Sequence, residues 1–167
     1  METAFYLTAA IAIAATALAV TRHEAVHGLL YLIVSLLAVA MIFFILGAPF
    51  AAALEVIIYA GAIMVLFVFV VMLLNLGQAA VAQERRWLGF GVWIGPTLLS
   101  ALLLAELLFV LAGGGRTAMA PGVVEAEAVG IALFGPYLIG VELASMLLLA
   151  GLVGAYHLGR RSEPDGA

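Results

Sequence analysis

The sequence predicts an all-α integral membrane protein with five transmembrane helices, its N-terminus outside and its C-terminus cytoplasmic. Three observations predict it. Of 167 residues, 67% are hydrophobic and 10% charged, where a soluble domain is about half apolar and a quarter charged. The apolar residues fall in five runs near the roughly 20-residue length that a hydrocarbon core about 30 Å thick requires. Arg22, Arg85, Arg86, Arg160 and Arg161 follow odd-numbered runs and only Arg116 lies opposite; basic residues beside spans stay cytoplasmic. The same figures exclude much. Ten acidic and six basic residues, with a net charge of −4, are too few to grip a phosphate backbone, so nucleic acid is excluded as a partner. Five spans leave no room for a soluble catalytic domain, and the absence of Cys removes disulfides, thiol nucleophiles and iron-sulfur ligation.

The elements follow in order, as one membrane domain over 1–167. Residues 3–21 are preceded by Glu2 and by no basic residue, so they are expected to be a retained span, not a secretory signal. The second span covers 28–46, and Gly47-Ala48-Pro49 breaks the chain before the third, 52–76. The fourth covers 88–112, with Trp87, Phe90 and Trp93 placed as an aromatic belt at the inner interface. A Gly-rich loop at 113–122, a short interfacial segment at 123–134 and the Gly135-Pro136 break precede the fifth span, 137–158.

Three carboxylates, Glu55, Glu106 and Glu142, lie within spans, and each costs about 3 kcal/mol or more in hydrocarbon unless it faces protein or water. By helix rise all three fall in the outer third of the membrane. They form either a proton-handling layer or a set wetted from the interface, and wetting weighs most for Glu106. Span three reads ALEVIIYAGAIMVLFVFVVMLLN. Glu55 and Tyr59 share a helical face, and Ala60-Gly61-Ala62 removes bulk where a helix can bend or widen to a π-bulge. The plainer alternative is that small residues let a neighbouring helix approach; Ala150, Gly151, Gly154 and Ala155 in span five are read that way.

Residues His23-Glu24-Ala25-Val26-His27 form a literal H-E-x-x-H, the pattern that places two zinc ligands and a base on one helical face. A membrane metalloprotease would need a third ligand, for which His157 is at a compatible depth. A five-letter match in a short polar turn is weak without its structural context.

The run ALEVIIYAGAIMVLFVFVVMLLNLG at 53–77 resembles the signature of the subunit J family of proton-pumping NADH:quinone oxidoreductase, respiratory complex I, which includes mitochondrial NADH dehydrogenase chain 6. ALFGPYLIGVELASMLLLAGLVGAYHLGRR at 132–161 resembles that family's last helix, and VHGLLYLIVSLLAVAMIFFILGAPFAA at 26–52 its second helix and turn. Glu24-Ala25 departs from the Asn-Pro common there, which makes H-E-x-x-H a local variation. The resemblance implies a multi-pass subunit of the bacterial cytoplasmic (inner) membrane with no catalytic or metal-binding residue of its own, helping to couple quinone reduction to proton translocation. It implies partners in the membrane arm, above all the small carboxylate-bearing subunit and the quinone-junction subunit. Flavin, iron-sulfur clusters and the quinone site would reside on those and other subunits. It also implies a π-bulge near Tyr59–Ala62 that can revert to regular helix. Gly61 would then be the hinge, Tyr59 an anchor for water, and Val65 and Phe69 an apolar gate, while depth alone suggests Glu55 and Glu142 as outer-layer proton or water contacts. The equivalent subunit of a cation/proton antiporter or a hydrogenase-type complex is the alternative.

Overall fold

A computed structural model describes residues 2–22, 24–74, 90–114 and 122–159. Among them every regular element is a helix: α1 (Glu2–Thr21), α2 (Ala25–Ile45), α3 (Pro49–Leu54), a π-helical segment (Glu55–Ile63), α4 (Met64–Leu74), α5 (Phe90–Gly114), α6 (Ala126–Phe134) and α7 (Leu138–Gly159). The pieces from α3 to α4 run on without a break and form the third span. Among the described residues five helices are therefore long and apolar enough to cross a membrane, Glu2–Thr21, Ala25–Ile45, Pro49–Leu73, Trp93–Ala112 and Leu138–Gly159. The expected spans agree with these to within three residues wherever both ends are described. The ends expected at 76 and 88, Trp87, and Arg85, Arg86, Arg116, Arg160 and Arg161 lie outside the described residues.

The turn between α2 and α3 shows how local chemistry stops one span and starts the next. Gly47 adopts φ 84°, a left-handed conformation that a residue without Cβ takes at little cost. The Ala48 N–H donates to the Phe43 carbonyl at 2.9 Å and the Gly47 N–H to the Phe44 carbonyl at 3.1 Å, the paired bonds that close a helix over a C-terminal glycine. Pro49 then opens α3, where its missing N–H would have been unbonded anyway. The Val124 N–H donates to the Gly47 carbonyl at 2.9 Å, tying the stretch before α6 to this turn.

The chain forms two compact units, Met1–Val124 and Glu125–Ala167. In the first, α1 and α2 pack as a hairpin with α5 against both. Their shared core holds Ile11, Ala12 and Ala15 of α1, Val34, Ala38, Met41 and Ile45 of α2, and Leu103 and Val110 of α5. The alanines let the backbones approach, which is what drives helix association where lipid is as apolar as leucine. The Thr16 and Ser35 hydroxyls share a hydrogen bond of 2.7 Å across the α1–α2 seam. Further along, the buried Tyr31 sets its hydroxyl against Gly95 of α5, where a Cβ would collide with it.

In the second unit, the stretch expected to lie at the interface is helical over Ala126–Phe134. It stops at Gly135, where a Cβ would lie 2.7 Å from the Ile131 carbonyl oxygen, and α7 follows with no residue buried.

Candidate functional site

The third span carries the irregularity. Val56, Ile57 and Ile58 are β-branched and Gly61 has no side chain, and both features weaken regular α-helix. Over Glu55–Ile63 the backbone is wound as a π-helix, whose N–H groups reach five residues back instead of four. The Glu55 N–H still bonds to the Ala51 carbonyl, whereas at the far end the Met64 N–H reaches the Tyr59 carbonyl. The bulge expected at 59–62 thus begins four residues earlier. At Gly61 a Cβ would lie 3.1 Å from the Val56 carbonyl oxygen, so a side chain there presses on the π-wound turn itself.

One residue added to a turn rotates every later side chain by about 100° relative to an unbroken helix. Val65 and Phe69 stand beyond that offset, and both are exposed, as is Tyr59. Glu55 and Gly61 are half-buried. The π segment packs on α2. Beside it an apolar groove of about 550 Å³ lies between α2, the start of the third span and α5, bounded by Leu37, Phe44, Pro49, Val56, Leu103 and Leu107. Sequence-predicted Glu55, Tyr59, Gly61, Val65 and Phe69 therefore share one segment, and Glu142 belongs to the second unit.

The three intramembrane carboxylates have different surroundings. Glu142 is exposed on α7, where Ser145 Oγ donates to its backbone carbonyl at 2.7 Å. Glu106, for which wetting and a proton-handling role weigh about equally in the sequence, is buried at 7% exposure, and neither carboxyl oxygen has a hydrogen-bond partner among the described residues. Depth along a helix is readable from sequence, but the face on which a residue lies is not when leucines surround it.

The start of α2 bears on the H-E-x-x-H pattern, which the sequence already marks as weak. The helix starts at Ala25, and Glu24 has an extended backbone, φ −99° and ψ 119°. The motif needs its first His and its Glu on the same helix as the second His. His23 lies outside the described residues, and the Glu24 carboxylate pairs instead with His27 Nδ1. Nearby the Arg22 guanidinium stands 5.3 Å from the Tyr31 ring centroid, a cation–π arrangement. Sequence reasoning missed the line that these residues begin: His27, Tyr31 and Ser35 are all buried along one face of α2. Their spacing of four was the available signal.

Fold and site together define a class, a multi-pass helical membrane protein built around a π-wound third span. The model of the family NADH-ubiquinone/plastoquinone oxidoreductase chain 6 matches residues 15–158. NADH-quinone oxidoreductase subunit J of Pseudomonas aeruginosa is 63% identical over 165 residues, covering 96% of this chain and 98% of that protein. The subunit J of Escherichia coli K12 is 58% identical over 163 residues, 98% of this chain and 89% of its own length. That of Buchnera aphidicola from Schizaphis graminum is 47% identical, covering 98% and 100%. The chain belongs to this family, as a membrane-arm subunit of NADH:quinone oxidoreductase, respiratory complex I, multi-pass in the bacterial cytoplasmic membrane. Its partners are the other subunits of that enzyme.

Proposed function

We propose that this subunit helps couple quinone reduction to proton translocation by interconverting its third span between π-wound and regular helix. The observation that carries the reading is the π segment itself, with Gly61 set so close to the Val56 carbonyl that only glycine fits without displacement. The groove beside Val56 offers room for the turn to rewind. Rewinding rotates Val65 and Phe69 about the helix axis, and apolar side chains can open and close a narrow wet path by dewetting. Tyr59 anchors water beside the hinge, and Glu55 and Glu142 hold protons or water. The chain has no Cys, in keeping with a subunit that holds no redox centre while flavin, iron-sulfur clusters and the quinone site lie on its partners. The small carboxylate-bearing subunit and the quinone-junction subunit are the neighbours we assign to it, and we place its N-terminus outside.

Gly61→Leu in native membranes tests the hinge. Proton pumping is expected to fall to near zero while the complex still assembles; normal pumping at normal assembly removes the hinge. Glu55→Gln and Glu142→Gln are each expected to lower the pumping rate, and unchanged pumping and quinone reduction in both would reduce these carboxylates to structure.

A further inference from the structure

We propose that Glu106 is an internal proton-binding site of this chain, served by water held at the hydroxyl of Thr8. The site lies in the α1–α2–α5 bundle and does not involve the third span's π segment. Glu106 shares its face of α5 with Leu103 and Val110, which belong to the core formed with α1 and α2, so its carboxyl points inward. It is 7% exposed, and neither oxygen meets a hydrogen-bond donor among the described residues.

Helix register brings Thr8 to the same level. α2 and α5 run parallel and meet where the Tyr31 hydroxyl lies against Gly95; counted from there, Glu106 stands within about a turn of Ile42. α1 runs antiparallel to α2 and is registered on it by the Thr16–Ser35 bond and by the Ser35 Oγ donation to the Ala12 carbonyl at 3.3 Å. That register sets the turn containing Thr8 opposite Ile42. Thr8 is fully buried, and its Oγ1 donates to the Ala4 carbonyl at 2.8 Å, which leaves the hydroxyl oxygen free to accept. A carboxyl without a donor and a hydroxyl with spare lone pairs, enclosed at one level, are the kind of polar partners that hold a buried water.

Among the described residues no basic group of the α1–α2–α5 bundle stands at this level. On α1 the ionisable groups are Glu2 and the exposed Tyr6, at the same end as Thr8. On α2 they are His27 and Tyr31, about three turns or more away. The third span, packed on α2, brings Glu55 and Tyr59, and α5 brings no other among the described residues. Arg22, at the far end of the α1–α2 seam, is the one arginine among the described residues. In the step proposed, a hydronium ion gives its proton to a Glu106 oxygen. An O–H bond forms there as one breaks on the ion, and the water left behind stays on Thr8.

Infrared spectra of the intact complex, taken at acid pH in H2O and in D2O, test this. One carboxylic C=O band that shifts on deuteration is expected, absent in Glu106→Gln and displaced in frequency in Thr8→Val. A deuterium-sensitive carboxyl spectrum unchanged in Glu106→Gln overturns the site. A band left unmoved in Thr8→Val overturns the shared water. Should Glu106→Gln fail to assemble, Glu106→Asp keeps the carboxyl and is expected to retain a displaced band, and its loss there also counts against the site. The measurement needs no pumping, so its failure is separate from that of the third-span hinge.

Discussion

Along α2, Val34, Ala38, Met41 and Ile45 are buried against α1 and α5, whereas from Leu54 to Leu73 of the third span only Met64 is buried. Both spans are strongly apolar, so hydrophobicity does not separate them. What separates them is steric and polar detail. Ala12, Ala15 and Ala38 bring α1 and α2 together and the Thr16–Ser35 bond fixes their register, leaving α2 regular throughout. The third span makes fewer such contacts, holds a nine-residue π segment and exposes most of its side chains. A closely packed regular hairpin and a largely exposed, π-wound helix lie side by side: under the proposed coupling the first is the support and the second the part that rewinds.

The contrast can be broken at either side. Its strongest test is graded substitution at Gly61. The loss of pumping expected for Gly61→Leu should be partial in Gly61→Ala, whose single Cβ meets the Val56 carbonyl at 3.1 Å, measured as dye quenching in inverted vesicles against the NADH oxidation rate. Next comes the support. Ala38 is fully buried between α1 and α5, and Ala38→Leu is expected to cost about 1–3 kcal/mol by overpacking. That cost should appear as less assembled complex on a native gel, with an unchanged proton-to-electron ratio in what survives. A changed ratio would mean that the hairpin also moves. The smallest effect belongs to Ser35→Ala, which removes the interhelical bond to Thr16. About 0.6 kcal/mol is the typical worth of such a bond in a membrane, and a slightly lower thermal midpoint of the intact complex would report it.

Much of this architecture was legible beforehand. Hydrocarbon thickness dictates span length, so the five spans could be placed, and Gly47 and Pro49 marked the turn that the hydrogen bonds of Phe43 and Phe44 now explain. Gly61 located the irregularity, but its extent back to Glu55 depends on backbone bonding, which residue identity does not specify. The H-E-x-x-H match was weak from the start because a five-letter pattern ignores where a helix starts. Which way Glu106 faces was not legible, because lipid and protein interior are equally apolar and α5 has no polar stripe to reveal which side faces in. The polar line of His27, Tyr31 and Ser35 was open to the same periodic reading that was applied to Glu55 and Tyr59.

The contact between Tyr31 and Gly95 also bears on how this chain can change over generations. Tyr31 is buried and has little room to withdraw, and a Cβ at residue 95 would occupy the place of its hydroxyl. Mutations at the two codons are therefore ordered. A lineage can trim position 31 first and enlarge position 95 afterwards, but the opposite sequence passes through an intermediate in which the buried Tyr31 hydroxyl is displaced. Two positions far apart in the sequence are thereby coupled through one contact.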